Sequence, residues 1–202
     1  MDPLLEVSLR WAHVIAGLCW IGLLYFFNFV NVPFQGTIDP ATKKVVNPQL
    51  LSRALWWFRM AAMTTFLIGL YLFIALYMKK PEDGGLMREV GKEGLSARAM
   101  TIMIGMTLGI IMWFNVWFII WPNQKKIIAG MLSGTPAAPE CAKRALLASR
   151  FNCYSSGPML FLMLAAKHGG SLGTTGYIVA FALPLLVIHL AIKASGNVAK
   201  PA

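Results

Sequence analysis

Residues 8–34 read SLRWAHVIAGLCWIGLLYFFNFVNVPF, and Arg10 is the one charged side chain in the stretch. As an α-helix this run would be about 40 Å long at 1.5 Å per residue. That exceeds the hydrocarbon core of a bilayer, which takes roughly 20 apolar residues to cross. The run therefore predicts a membrane helix. Four further apolar runs of comparable length follow, at roughly 54–78, 99–121, 143–167 and 175–194. Polar connectors bearing Gly and Pro separate them, the most charged running from Lys79 to Ala97. With no internal repeat, residues 1–202 read as a single membrane domain: an all-α integral membrane protein built as a five-transmembrane-helix bundle.

Composition carries the same message. The chain is 57% hydrophobic and 13% charged, against about 25% charged for a soluble domain. So few charges could not cover a water-exposed surface. The start, Met1-Asp2-Pro3-Leu4-Leu5-Glu6, has acids where a signal peptide carries bases, and no small-residue cleavage site follows. The first run is thus expected to remain as a helix.

The net charge is +10, but the basic residues gather at helix ends rather than along a stripe. That excludes a nucleic-acid surface and fits the anchoring of a multispan protein in a lipid bilayer. The first and third connectors and the C-terminus hold Lys43, Lys44, Arg53, Lys125, Lys126, Lys143, Arg144, Lys193 and Lys200. Their margin over the other side is modest. It predicts the N-terminus outside and the C-terminus in the cytoplasm. Cys19 and Cys153 lie in apolar runs and Cys141 in an expected loop. This odd, scattered set gives neither a disulfide framework nor a C-x-x-C-H haem attachment.

Polar residues inside membrane helices are costly, so they mark bundle interiors or cofactors. In the first run Arg10, His13, Gly17, Trp20, Asn28 and Asn31 recur at steps of three or four. Gly17, one turn from His13, would leave room for a flat macrocycle beside a ligating imidazole. Arg10, one turn the other way, could meet a propionate. In the fourth run Arg150, Tyr154, Gly157, Phe161, Leu164 and His168 share a face. His13 and His168 fall at compatible depths for opposite axial positions on one haem b, with Lys167 near its propionates. His189 lies in the other half of the membrane. With Arg59, Arg150 and several asparagines it outlines a second site, for another haem, a quinone head-group or an anionic substrate. The plain alternative for each histidine is a hydrogen bond to a neighbouring helix. Gly105 and Gly109 read as helix packing, and Trp56, Trp57, Trp113, Trp117 and Trp121 mostly as an interfacial belt.

Several stretches resemble one known family. Arg10-Trp11-Ala12-His13 with Gly17 and Trp20-Ile21-Gly22 is similar to the opening helix of the membrane domain of bacterial, cytochrome-c-linked urate oxidases (urate hydroxylases). Trp57-Phe58-Arg59 with Thr65 and Gly69 resembles its second motif, and Asn115-Val116 with Ile120-Trp121-Pro122-Asn123-Gln124 its third. Asn152, Tyr154 and Pro158-Met159-Leu160-Phe161-Leu162-Met163, ending in His168, match its most distinctive stretch. Trp56, Ala61 and Phe151 depart from the family, which has histidine, an acid and histidine there. A shorter likeness, of the first helix only, is to haem-binding protoporphyrinogen oxidases.

The resemblance implies a short stand-alone form of the family domain, in the bacterial inner membrane and without its cytochrome c. The expected function is a b-type haem redox subunit, passing electrons to a cytochrome c or a larger membrane redox complex. Two alternatives remain open. One is a haem-dependent oxidase of urate, a related purine or a porphyrinogen. The other is a cofactor-free accessory subunit of a larger membrane complex.

Overall fold

The computed structural model describes residues 1–78, 97–168 and 172–198, and among these every regular element is helical. Helix α1 spans Pro3–Gln35. Helix α2 runs Pro40–Phe73 and continues as a π-helical turn, Ile74–Met78. Helix α3 passes from Ala97–Phe114 through a π-helical stretch, Asn115–Ile120, into Trp121–Ser133. Helix α4 is Pro139–His168 and α5 is Gly173–Ser195. Lys79, Lys80, Arg88 and Lys92 of the charged connector lie outside the described residues.

The helices reach past the apolar runs because polar caps start and stop them. The Asp2 carboxylate accepts from the Leu5 amide at 3.0 Å, ahead of Pro3. Asp39 accepts from the Ala41 and Thr42 amides at 2.8 and 3.1 Å, ahead of Pro40. Each carboxylate satisfies amides that have no helical partner. At the other end of α3, Gly134 takes φ +76°, the left-handed turn that ends a helix with little strain only in glycine. Cys141, expected in a loop, lies in the first turn of α4, since the connector shrinks to the few residues between Ser133 and Pro139.

Sequential neighbours run antiparallel, and close contacts fix their register. His13 and Gly17 of α1 lie against Gly69 and Thr65 of α2. Phe66 of α2 stacks on Trp113 of α3, with ring centroids 4.3 Å apart. Gly105 of α3 meets Leu162 of α4, and Asn115 meets Asn152. Gly157 of α4 sits against Pro184 of α5. The chain closes on itself where the Tyr25 and Ser156 hydroxyls of α1 and α4 pair at 3.0 Å.

Four helices, α1, α2, α3 and α5, are long and apolar enough to cross a membrane. The expected fifth span, α4, has 30 residues but fails on apolarity. Its position explains this. It touches α1, α3 and α5, and Asn152, Cys153, Ser156 and Leu162 are fully enclosed. Its Ser149, Asn152 and Ser156 bond to protein instead of facing lipid. Among helices in a bilayer, apolar burial adds little, because lipid is as apolar as a side chain; close packing and interhelical hydrogen bonds hold the bundle.

Charge is uneven along the bundle. Where α1 meets α2 and α3 meets α4, the described residues include Lys43, Lys44, Arg53, Lys125, Lys126, Lys143 and Arg144, against Asp39 and Glu140.

Candidate functional site

His13 is the most enclosed of the three imidazoles. A Cβ on Gly69 would stand 2.8 Å from its Cε1 and 3.2 Å from its Nδ1. Glycine at position 69 is therefore what admits the ring between α1 and α2. Nδ1 is buried and has no hydrogen-bond partner. Gly17, read from sequence as space for a macrocycle, faces the Thr65 methyl instead, 3.8 Å from where its Cβ would be.

His168 is exposed at the end of α4, beside the exposed Lys167. The Tyr25–Ser156 contact sets its level. His13 precedes Tyr25 by as many residues as His168 follows Ser156, so the antiparallel register brings the two histidines to one depth. His189 is exposed, and its Nδ1 lies 3.0 Å from the Tyr154 hydroxyl.

The arginines have distinct settings. Arg10 is held by Glu6 one turn earlier, Nη2 to Oε1 2.7 Å. Arg59 lies over the Trp121 ring, Cζ 3.5 Å from its centroid, and 5.5 Å from that of Trp117. The ring faces attract the guanidinium in place of a carboxylate. Trp117 and Trp121 thus line the bundle instead of forming an interfacial belt. Arg150 has a buried Nη1 without a partner. Neither Arg59 nor Arg150 meets a carboxylate among the described residues.

Around Arg150 runs a polar seam along α4. Asn28 donates to Ser149 Oγ and to the Leu24 carbonyl, both at 2.9 Å. Asn115 donates to Asn152 Oδ1 at 2.8 Å, and Asn152 to the Met112 carbonyl at 2.9 Å. Asn28 and Asn115 both sit in π-helical stretches, a distortion that recurs at functional sites. The Asn28 Oδ1 has no partner, so α1 and α4 each leave one buried polar atom free, an acceptor on Asn28 and a donor on Arg150. Sequence reasoning placed Asn28, Arg150 and Asn152 in a polar cluster. It missed Ser149 and Ser156, whose small side chains carry no signal until a partner helix is set against them, and it named Gly69 only as part of a family motif, not as the seat of His13.

A match to the family described as urate oxidase N-terminal covers residues 85–198, more than half of the chain. The chain belongs to this family. The matched part holds α3, α4, α5 and most of the polar seam, so the urate oxidase N-terminal domain takes in Asn115, Arg150, Asn152, His168 and His189. His13, Gly69 and Arg59 lie ahead of the match. No curated protein and no solved structure matches the chain.

Proposed function

We propose that the chain is the membrane-embedded module of a urate-oxidase-type redox system in a bacterial inner membrane, and that it binds b-type haem. The observation that carries the reading is His13: a buried imidazole nitrogen with no partner, at the depth of a second, accessible imidazole, His168. Buried polar atoms are rarely left unpaired, so an orphan nitrogen leaves a place for a ligand, an ion or a water. Imidazole is also a common axial ligand of haem iron. His13 and His168 would hold the iron, with Arg10 and Lys167 near its propionates, and His189 and Arg150 would serve a second site in the other half of the membrane. A bound haem would supply one-electron transfer, and the protein would fix its ligands and exclude water. The electrons would leave to a cytochrome c or a larger membrane complex, directly or through a quinone.

A second reading is favoured by Gly69. A Cβ there would stand 2.8 Å from Cε1 and 3.2 Å from Nδ1 of His13, so the ring is packed against α2, which suits a packing role. On this reading the chain is a cofactor-free accessory module. A dithionite-reduced minus oxidised spectrum of the purified protein, with haem extraction, separates the two. The haem reading expects a b-type signal that His13→Ala or His168→Ala abolishes. A folded, colourless protein, never stripped by detergent, overturns it and leaves the accessory role.

A further inference from the structure

A groove of about 600 Å³ runs between α3 and α4 on the outside of the bundle. Its volume is within the ~300–1,000 Å³ of small-molecule sites. Phe118, Leu147 and Phe151 form its walls, and Asn115, Asn123 and Arg144 supply its polar groups.

Their order along the groove is informative. The register that pairs Asn115 with Asn152 sets Asn123 opposite Arg144, the same number of residues further along each antiparallel helix. That level is about 12 Å nearer the end of the bundle, at 1.5 Å per residue. It is the end where Lys125, Lys126 and Lys143 gather. Arg144 is exposed and has no ion pair or hydrogen bond among the described residues. The Asn123 amide donates to the Ile119 carbonyl at 2.7 Å, so its carbonyl oxygen is left over. The groove is therefore cationic at its mouth and aromatic and aliphatic further in. Phe118 and Leu147 stay 59% and 60% exposed in the isolated chain.

We infer that this groove holds one anionic phospholipid, its phosphate on Arg144 and one acyl chain along Phe118, Leu147 and Phe151. The charge pattern selects that occupant. A zwitterionic lipid gains little from an unpaired arginine in a basic setting, whereas a net negative headgroup gains from each basic residue near the surface. The site is independent of the haem reading, since no histidine lines it.

Native mass spectrometry of the full chain, titrated with phosphatidylglycerol and with phosphatidylcholine of matched chains, tests it. The wild type is expected to retain one phosphatidylglycerol in preference to phosphatidylcholine. Arg144→Gln should weaken that retention about fivefold, the effect of one surface charge. Lys143→Gln, an exposed neighbour outside the groove, should weaken it less than Arg144→Gln does. Ala148→Leu, which fills the groove floor, should lower retention of both lipids with helical content preserved by circular dichroism. Equal retention of the two lipids by the wild type, or unaltered phosphatidylglycerol binding by Arg144→Gln, overturns the inference. So does a dimer without lipid.

Discussion

At the scale of single residues, the bundle depends on what glycine leaves out. Gly69 has no side chain because His13 occupies that space. Gly69→Ala should push the ring out of its seat and cost about 1–3 kcal/mol, the usual penalty for overpacking. The same change made on His13→Ala should cost far less, because the clash is gone; contacting sites couple in this way. Thermal unfolding of the four variants in detergent gives the coupling, and additive costs would show that the contact is not formed. Arg59 illustrates the reverse case, in which a large neighbour is indispensable. Its charge is met by the face of Trp121, and a residue that composition assigns to the membrane interface acts as an internal counter-group.

Helix by helix, the pairing of α3 with α4 makes an asymmetric prediction from a symmetric motif. A Cβ on Gly105 would lie 3.2 Å from Leu162 Cβ and 3.4 Å from the Met163 amide nitrogen, whereas one on Gly109 meets nothing within 4 Å. Gly105→Ala should therefore destabilise by about 1–3 kcal/mol. Gly109→Ala should be neutral, or stabilising by up to about 1 kcal/mol through helix propensity alone. Unfolding midpoints of the two variants compare them directly. From sequence, Gly105 and Gly109 are one G-x-x-x-G; only the partner helix tells them apart. The same limit governs how much of the fold was legible. The runs behind α1, α2, α3 and α5 stand out because they are apolar enough for a bilayer. Helix α4 was read as one more apolar run, and the partners of its buried Asn152 and Ser156, which lie on other helices, could not be read from it. His13, Arg59 and Arg150 were picked out by the cost of polar groups in a membrane. Their surroundings were not, since the register between helices is not written in any one of them.

For the molecule as a whole, α4 is the element that joins the rest. Asn152 links it to α3 through the Asn115 amide and the Met112 carbonyl, while Ser149 and Ser156 reach Asn28 and Tyr25 of α1. Interhelical hydrogen bonds in membranes average about 0.6 kcal/mol and reach about 1.7. Asn152→Leu removes two and strands the Asn115 amide, so a loss of about 1–3 kcal/mol is expected. Because α4 touches α1, α3 and α5, the loss should appear as one shifted transition by every probe. A separate early loss confined to α3 would contradict that.

The π-helical stretch in α3 also sets the winding of that helix. Trp113 stacks on Phe66, and Trp117 and Trp121 meet Arg59, so all three indoles face α2. An unbroken α-helix turns about 100° per residue and would carry position 121 some 80° around the axis from position 113. The wider turn at Asn115–Ile120 takes up that difference, so one tryptophan ladder stays in phase with α2 for its full height. The surplus is close to one residue: with a single residue deleted from this stretch, ordinary winding would set the two end indoles seven positions apart, about 20° out of phase. The indole of Trp121 would then stay over Arg59, whereas losing the wider turn without the deletion would swing it toward lipid and leave Arg59 with nothing above its charge.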